Sequence, residues 1–457
     1  MQERPLDMKT GWKNITIVTV DSNNTILNDA GLLFENGIIT DIGSSEQIEH
    51  LAASCGAELK DGHGQYLFPG LVNTHTHLYQ EIMKGMGSDL SLEDWFPKSM
   101  APAGAVLTAD HVAAGVRLGL IEAIRCGVTT VADYMQLQPV RGLGKLELDI
   151  AKETGIRMVY GRGYRDIGKP ELIEDANAVF EDVASLKEEF EGNGLYQISL
   201  APAAGWGASA ELLKATRAFA DKSHTPIMMH MFETETDNNV SLSRHQKPAI
   251  DFYEETGLLG PDLLAVHSVA IGDKEISKYR EYGAAVSYNP VANMYLASGV
   301  APIRKMLEAG IRVGIGTDGA GSNNDNDMLE AMKSGALLQK AFAKDPQALT
   351  APMMLRMASI DGAAALGLSD KIGSIECGKR ADFFLYDPSK SAKACPVHDI
   401  TASLIYSGDH TAVRTVVVNG QTLMTDGKLL TICEEDVLKD AQTAAMDLAA
   451  RMRQHTA

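Results

Sequence analysis

The sequence predicts an α/β protein built around a closed (β/α)8 barrel. Eight short apolar runs alternate with amphipathic segments, and most of the runs end in polar groups. Parallel strands that helices cover on both sides show this pattern. A doubly wound open sheet is the alternative that the same alternation allows. The predicted strands are residues 71–75, 128–133, 157–162, 196–202, 226–233, 263–268, 284–290 and 312–319.

The segments between these runs have helical periodicity. HVAAGVRLGLIEAIRCG and AELLKATRAFADKS place apolar residues three and four positions apart, as one buried helix face requires. A glycine closes the first of them, and another closes the segment that ends in MLEAG. Glycine is the residue that helices most often use to stop. The alternation is therefore of strands with helices.

The residue pattern at both ends of the chain differs from the strand and helix alternation between them. Residues 14–43 contain short β-branched runs separated by Asn-Asn and Asn-Gly turn signals, and the stretches SIECGKRADFFLYDP and AVRTVVVNGQTLMTDGK repeat that pattern. We predict that residues 1–66 and 371–457 pair into one composite β-sandwich domain that ends in a surface helix. The barrel is predicted to occupy residues 67–370.

Composition narrows the class of protein. The chain has 457 residues, of which 45% are apolar, and a formal charge of -19. A surface that binds nucleic acid or anionic membrane needs excess Lys and Arg, so neither is an expected partner. No apolar run approaches the roughly 20 residues of a membrane helix. The start of the chain lacks the apolar core of a secretory signal. These two observations predict a cytoplasmic protein. Five cysteines without a CxxC pair predict reduced, mostly buried thiols.

Histidines and acids stand where the predicted strands end. His75 and His77 close the first strand, and alternate side chains of an extended strand point the same way. His230 ends the fifth strand and His267 the sixth, while Asp318 ends the eighth. In a barrel of this kind the catalytic groups come from the carboxyl ends of the strands. The five side chains are therefore expected to meet at one mouth.

Imidazoles with one carboxylate suit a divalent metal. Zinc is the first candidate, and Fe2+ or Mn2+ would accept the same ligands. A catalytic zinc brings the pKa of a bound water from 15.7 to about 7. Glu233 follows His230 closely and would move the proton of that water to a leaving nitrogen. Asp318 could bind the metal and also accept a hydrogen bond from the water.

Six longer motifs occur in order along nearly the whole chain: PGLVNTHTHLYQ, HMFE, AVHSVAI, SYNPVANMYLASGVAPIRKMLEAGI, GIGTDGAGSNNDNDML and GSIECGKRADFFLYDP. Together they resemble the motifs of the amidohydrolase superfamily. The resemblance is closest to the branch of cytosine and guanine deaminases, methylthioadenosine/S-adenosylhomocysteine deaminases and triazine hydrolases. The resemblance implies one metal per chain, held by His75, His77, His230 and Asp318. It also implies that Glu233 shuttles protons and that His267 polarises the water or the tetrahedral intermediate.

The resemblance also bears on the reaction. Binuclear members of the superfamily carry a lysine at the end of strand four, where this chain reads YQISLAP. Adenosine-type members place a glutamate after the tryptophan of the first loop, and the corresponding residues 102–104 contain no carboxylate. Glu93 or Asp94 could substitute, or could be ordinary loop charges. We therefore expect hydrolytic deamination of a free amino-substituted purine, pyrimidine, pterin or triazine.

Three alternatives stay open: a methylthioadenosine/S-adenosylhomocysteine-type nucleoside deaminase, a triazine chlorohydrolase, and a metal-binding protein without catalysis. Retention of Glu233 favours an amine leaving group, which needs a proton, over chloride, which does not. By analogy with the family a homo-oligomer is expected. Candidate substrate contacts, each with loop packing or a salt bridge as its other interpretation, are Tyr79, Gln80, Trp95, Arg162 and Asn289.

Overall fold

A computed structural model describes residues 9–456, apart from the side chains of Glu171 and Thr456. Within this range the chain forms a closed barrel of eight parallel strands and a nine-stranded, mostly antiparallel sheet. The barrel prediction is confirmed and the open-sheet alternative is wrong. The strands are β1 Thr10–Val18, β2 Ile26–Glu35, β3 Ile38–Ser44, β4 Glu58–Asp61, β5 Tyr66–Pro69, β6 Leu71–Thr76, β7 Val128–Met135, β8 Arg157–Tyr164, β9 Tyr196–Pro202, β10 Ile227–Met231, β11 Leu263–His267, β12 Ala285–Tyr288, β13 Val313–Ile315, β14 Phe383–Tyr386, β15 Val413–Val418, β16 Gln421–Thr425 and β17 Lys428–Leu429.

Helices surround the barrel, and the helix of residues 45–55 packs against the smaller sheet. Each barrel strand is followed by at least one helix or helical turn before the next strand begins. The α-helices are α1 Ser45–Cys55, α2 Leu92–Trp95, α3 Ala101–Gly104, α4 Ala109–Arg125, α5 Leu143–Thr154, α6 Ala176–Phe190, α7 Ala210–Ser223, α8 Thr236–His245, α9 Ala249–Glu255, α10 Asp273–Tyr282, α11 Pro290–Tyr295, α12 Ile303–Glu308, α13 Met328–Ala343, α14 Ala351–Met357, α15 Ile360–Ala365, α16 Ile400–Ser407 and α17 Glu434–Thr456.

The barrel closes in chain order. Strands β6 to β13 are hydrogen-bonded to their neighbours in sequence, and β13 pairs with β6 through Ile315 and Asn73. All eight strands run parallel, so their carboxyl ends lie at the same mouth. Apart from the partly buried Gln197 and His230, every residue of these strands is buried. This two-sided burial is the reason that their sequences read as continuous apolar runs.

Local sequence sets several helix ends. The hydroxyl of Thr108 accepts a hydrogen bond from the backbone N–H of His111, and the His111 ring accepts one from the N–H of Thr108, which caps the start of α4. Helix α1 ends at Gly56, whose φ of 70° is left-handed. Glycine adopts that conformation without a Cβ clash.

The smaller sheet joins both ends of the chain, as the composite-domain prediction requires. Its order is β17-β16-β15-β14-β5-β1-β2-β3, and β4 pairs with β1. Rings of Trp12, Phe34 and Phe383 pack together in its core at centroid distances of 5.3–6.1 Å. The nine strands form one continuous hydrogen-bonded sheet. The proposed boundary after residue 66 falls inside β5.

A buried ion pair ties the barrel to the smaller sheet. Arg157, the first residue of β8, places Nε 2.9 Å from Oδ2 of Asp382, and Asp382 Oδ1 also accepts the backbone N–H of Asn419 at 2.6 Å. The side chains of Arg157 and Asp382 are 3% and 1% exposed. Water therefore cannot replace either partner.

Replacing Arg157 with leucine is expected to lower the free energy of unfolding by about 3–5 kcal/mol, because the buried carboxylate of Asp382 loses its counter-charge. Urea denaturation of the variant and the parent measures this difference. The control is Arg117→Leu, because Arg117 pairs with Glu153 at 3.0 Å near the surface, where side-chain exposure is 35% and 43%. Similar losses in both variants would contradict the role given to the buried pair.

Two further features of the described residues bear on the sequence predictions. No single helix there is both long and apolar enough to cross a membrane, and only the bent pair Leu92–Gly104 with Ala109–Arg125 passes that test together, across a 120° break.

Cys126 is buried, but the other four thiols are exposed, so the prediction of mostly buried cysteines is wrong. Those four residues lie at element ends and in loops, where sequence gives little signal of burial.

Candidate metal and catalytic site

The residues predicted at strand ends converge at the carboxyl mouth of the barrel. His75 lies in β6 and His77 follows it, while His230 lies in β10 and His267 ends β11. Asp318 stands three residues beyond β13. Because the strands are parallel and neighbouring in the closed barrel, residues more than 200 positions apart in sequence face one another here.

Short distances join these side chains. Nε2 of His77 lies 3.3 Å from Nε2 of His230 and 3.3 Å from Oδ1 of Asp318. Nε2 of His75 lies 3.4 Å from the same carboxylate oxygen. Two overlapping sets of atoms lie close enough to hold one ion: the first is His75, His77 and His230, and the second is His75, His267 and Asp318.

The arrangement fits a metal ion better than a hydrogen-bond network. Both ring nitrogens of His75 are buried and, among the described residues, neither makes a hydrogen bond. The Nε2 atoms of His77 and His230 face each other at 3.3 Å, close enough for both nitrogens to bind one ion together with His75. Buried polar atoms without partners are costly, and a divalent cation satisfies several lone pairs at once. The donor set of imidazoles and a carboxylate is the one that zinc accepts.

Hydrogen bonds orient His77 for such a role. Its Nδ1 lies 2.5 Å from the backbone carbonyl of Tyr134, to which an Nδ1–H donates. This leaves the Nε2 lone pair directed into the cluster, as a ligating histidine requires. Burial, and then the neighbouring His75, lower the pKa of His77 to about 4. His77 is therefore neutral at physiological pH, the form in which imidazole binds a metal.

Asp318 carries the negative charge of the cluster. Burial would raise its pKa, but the close contact with His75 and the charges of His75, His267 and His77 hold the pKa well below its ordinary value. The backbone N–H of Gly319 also donates to Asp318 Oδ1 at 2.7 Å. A carboxylate stabilised in this way stays ionised and available as an anionic ligand.

Glu233 lies beside this cluster and is 8% exposed. Its Oε2 is 3.4 Å from Nε2 of His267, and its Oε1 accepts a hydrogen bond from the hydroxyl of Ser298 at 3.3 Å. Burial first, and then the charges of Asp318 and Asp237, raise the pKa of Glu233 well above its ordinary value. A carboxyl group with a raised pKa can both take and return a proton near neutral pH.

The backbone is strained at several of these positions. Phe232, His267 and Asp318 have φ values of 54°, 75° and 63°, which non-glycine residues seldom adopt. Each stands within two residues of a site side chain or is one itself. Left-handed residues cost of order 1–3 kcal/mol each and cluster at functional sites, where the surrounding structure imposes them.

A cavity of about 310 Å3 opens onto the cluster. His77, His230, Glu233, His267 and Asp318 form its floor. Its walls are largely aromatic, with polar groups between the rings; they include Trp95, Phe96, Tyr134, Tyr164, Trp206, Glu93, Gln136 and Arg165. Its volume lies at the lower end of the range for small-molecule sites. A larger cleft of about 920 Å3 lies at the opposite end of the barrel strands and contains none of the predicted site residues.

The structure separates the predicted substrate contacts. Trp95 lines the cavity, and its Nε1–H donates to the carbonyl of Gly321 at 2.8 Å. Tyr79 and Gln80 are buried in the turn Leu78–Met83 and do not line the cavity. The Tyr79 hydroxyl instead accepts hydrogen bonds from Gln80 and from Gln136, at 3.3 and 3.1 Å.

Arg162 and Asn289 are also engaged elsewhere. Arg162 forms ion pairs with Glu174 at 2.6 Å and with Asp182 at 2.8 Å. It does not line the cavity. Asn289 is buried beneath His267, and its amide Nδ2 lies 3.3 Å from that ring's Nδ1. Neither side chain has a free face toward the cavity.

Sequence reasoning missed Arg165 and Trp206, which do line the cavity. The Arg165 guanidinium lies 5.2 Å from the Trp206 ring centroid, and no described residue forms a hydrogen bond or ion pair with that guanidinium. Both residues follow barrel strands, in GRGYRD after β8 and APAAGWG after β9. Their place at carboxyl ends of strands was the signal that could have identified them.

The first loop supplies one carboxylate to the cavity. Glu93 lines it and accepts hydrogen bonds from the hydroxyls of Thr234 and Thr236, at 3.1 and 3.0 Å. Asp94 points elsewhere and pairs with Lys98 at 2.9 Å. Of the two acids considered as substitutes for the missing glutamate, Glu93 is the one that reaches the cavity.

Comparisons with known proteins place this geometry in context. Residues 66–423 match the model of the amidohydrolase family. A 5'-deoxyadenosine deaminase from Methanobrevibacter smithii is 38% identical, over 91% of this chain and 93% of that protein. A 5-methylthioadenosine/S-adenosylhomocysteine deaminase from Syntrophomonas wolfei is 32% identical, over 96% and 99% of the two chains.

A solved structure has the same fold. The crystal structure of an adenosine deaminase from Xanthomonas campestris with bound zinc superposes with a TM-score of 0.89 and 27% sequence identity. The superposition covers 98% of this chain and 99% of that one. Both the barrel and the composite sheet therefore fall within the shared architecture.

Proposed function

Since this chain belongs to the amidohydrolase family, we propose that it is a zinc-dependent hydrolytic deaminase of an amino-substituted N-heterocycle. The observation that carries the proposal is the convergence of four histidines and Asp318 in one cluster, with Glu233 beside it, at the base of an aromatic cavity. The named relatives are deaminases. A metal-binding protein without catalysis would not need a buried proton carrier such as Glu233 beside the cluster.

Four residues would hold the zinc: His75, His77, His230 and Asp318. Bound there, zinc would act as a Lewis acid and make water nucleophilic near neutral pH. The protein's part is to turn the imidazole nitrogens toward the metal and to shield the ligands from water. The hydrogen bond from His77 to the Tyr134 carbonyl and the burial of His75, His77 and Asp318 serve that purpose.

Glu233 is proposed as the proton carrier of the reaction. It would take a proton from the attacking water as oxygen adds to the ring carbon that bears the amino group. It would then deliver that proton to the nitrogen, so that the C–N bond breaks and ammonia leaves while the ring keeps the oxygen. The Ser298 hydroxyl holds one carboxylate oxygen, so the other is directed toward His267 and the reacting centre.

His267 and the cavity walls would position the reactants. Nε2 of His267 lies between Glu233 and Asp318, at 3.4 and 3.9 Å, where it can donate a hydrogen bond to the oxygen that adds to the ring. Trp95, Phe96 and Trp206 supply flat apolar surfaces that suit an aromatic heterocycle. Enclosure of the ring by these side chains would exclude bulk water.

An adenosine-type nucleoside is the first candidate substrate. The named relatives act on 5'-deoxyadenosine and on methylthioadenosine or S-adenosylhomocysteine. Glu93, which lines the cavity, can accept hydrogen bonds from sugar hydroxyls through the oxygen that Thr234 and Thr236 do not use. The pKa of Glu93 is lowered, chiefly by a backbone hydrogen bond, so its carboxylate is ionised and a good acceptor.

A free heterocycle is the second candidate, and one observation favours it. The segment that would carry the glutamate of adenosine-type relatives lies in helix α3, Ala101–Gly104, and contains no carboxylate. If Glu93 does not take the place of that glutamate in binding ribose, the ribose hydroxyls have no charged partner in the first loop. A free purine, pyrimidine, pterin or triazine would then be the better fit.

A kinetic panel separates the two candidates. We expect kcat/KM for 5'-deoxyadenosine to exceed that for adenine by at least about a hundredfold, or about 2.7 kcal/mol of transition-state binding. Ammonia release is measured for both compounds and for guanine, cytosine and melamine, and chloride release for a chlorotriazine. Faster turnover of a free base would favour the second candidate. Chloride release without ammonia release from any compound would overturn the deaminase proposal.

Variants in the first loop test the proposed anchor. Glu93→Gln should lower kcat/KM for 5'-deoxyadenosine and leave that for adenine nearly unchanged, because only the nucleoside offers ribose hydroxyls. Asp94→Asn is the matched control, since Asp94 neighbours Glu93 in sequence but pairs with Lys98. Equal effects of the two variants would remove Glu93 from substrate binding.

A further inference from the structure

The two ring nitrogens of His267 face different surroundings. Nε2 faces carboxylate oxygens of Glu233 and Asp318, at 3.4 and 3.9 Å. The Asp318 carboxylate, which the site uses as its anionic group, only accepts hydrogen bonds, so the nitrogen that faces it is stabilised when it carries the proton. His267 is 1% exposed, so water does not compete for that position.

The other nitrogen, Nδ1, is approached by two side-chain amides. Nδ2 of Asn293 lies 2.9 Å away, and Nδ2 of Asn289 lies 3.3 Å away. An amide NH2 group is a donor, so two donors converge on a nitrogen that must therefore accept. A neutral imidazole has one nitrogen that donates a hydrogen bond and one that accepts. The surroundings of this ring favour Nε2 as the donor and Nδ1 as the acceptor.

A chain of hydroxyl groups fixes the orientation of the Asn289 amide. The Ser287 hydroxyl donates to Asn289 Oδ1 at 3.1 Å, and the hydroxyls of Ser287 and Thr74 are 2.7 Å apart. With Oδ1 occupied in this way, the Asn289 amide turns its NH2 toward His267. Thr74 precedes the metal-ligand candidate His75, so the chain begins at the strand that carries it.

Asn293 has no other polar role. It is 1% exposed, its only side-chain hydrogen bond within residues 9–456 goes to His267, and its Oδ1 has no partner there. A buried amide oxygen without a partner costs stability that a leucine of similar size would not. The position therefore retains an amide at a cost, and the contact with His267 is what the amide provides.

We propose that Asn289 and Asn293 are positioning residues that hold His267 in the neutral tautomer with its proton on Nε2, directed into the catalytic cavity. The inference about catalysis rests on the proposed function, because the Nε2 proton would then point at the oxygen that adds to the substrate. The inference about the tautomer does not, because the protonated nitrogen is a property of the resting enzyme. Asn289 thus serves the site through His267 and not through the substrate.

The first test reads the tautomer directly in the zinc-loaded full chain. Long-range 15N–1H correlation spectra of histidine-labelled protein distinguish a protonated from a bare ring nitrogen, and His267→Gln identifies the signals among the twelve histidines. We expect a bare Nδ1 and a protonated Nε2. A proton on Nδ1, including the form in which Nε2 binds the metal, would overturn the proposal whether or not the protein releases ammonia.

The second test exchanges the donor for an acceptor. Asn293→Asp presents a carboxylate to Nδ1 and should move the proton there, with kcat falling roughly a hundredfold or more, the size typical of losing a positioned proton donor. Asn293→Leu removes the amide without supplying an acceptor and should keep the Nε2–H signal, with a smaller loss of kcat. Zinc content and melting temperature are measured for both. An unchanged spectrum in Asn293→Asp, or equal losses of kcat in the two variants, would contradict the proposal.

Discussion

Replacing Glu233 with glutamine is expected to reduce kcat for ammonia release by roughly three orders of magnitude, within the range that removal of a general acid–base group produces. The amide keeps the size of the side chain and its contact with Ser298, but it can neither take the proton of the attacking water nor return it to the leaving nitrogen. Zinc content should stay at that of the parent, because Glu233 is not one of the proposed ligands. The measurements are steady-state ammonia release and metal analysis of the same preparation.

The matched control for this variant is Glu235→Gln. Glu235 lies two residues away in the same loop and is exposed, so it shares the sequence neighbourhood but not the buried position. It should retain the activity of the parent. Unchanged activity in Glu233→Gln would remove Glu233 from the mechanism, and loss of zinc would show that the side chain supports the metal site instead.

Replacing His77 with asparagine is expected to lower the affinity for zinc by more than roughly a hundredfold, since loss of a ligand should exceed the 10–100-fold that loss of an outer-shell partner costs. Activity should fall with zinc occupancy. His77 is chosen because its Nε2 is 3.3 Å from both His230 and Asp318, which places it centrally among the proposed ligands. Zinc content after dialysis against a chelator of graded strength measures the effect without reference to substrate.

His245→Asn serves as the control for that experiment. The His245 ring stacks on Phe252 at a centroid distance of 3.9 Å, away from the barrel mouth, so its loss should leave zinc affinity unchanged. If His77→Asn retained zinc as firmly as the parent, the proposed ligand set would be wrong. The second set of close donors, His75, His267 and Asp318, would then be the one to examine.

The barrel and the place of the site could be read from sequence because both follow from short-range patterns. A strand buried on two faces must be apolar throughout, so β6 to β13 are recognisable as apolar runs. Seven of the eight strands end within two residues of their predicted ends. The eighth, β13, ends earlier, because the chain after Ile315 turns through the left-handed Asp318. Polar residues that end such runs must lie at one mouth once the strands are parallel.

The substrate contacts could not be read in this way. Tyr79, Gln80 and Asn289 follow strand ends and Arg162 lies near the end of β8, but each of them contacts a protein partner in the structure. Arg162 illustrates the reason: whether it faces the cavity depends on Glu174 and Asp182, which come from the following loop and helix. Such partners lie at no regular spacing from it, so no periodicity in the sequence reports their positions.

What the chain's own order of residues established was the architecture and the set of histidines and acids that meet at one mouth of the barrel, since burial and strand direction act on each segment locally. Only the packing of the folded chain decides which polar side chains line the cavity and which form hydrogen bonds with neighbouring residues. Arg165 and Trp206 reach the cavity, whereas Asn289 lies beneath His267 and bonds to its ring. The difference arises because side-chain direction at a strand end depends on loops that meet there from distant parts of the chain.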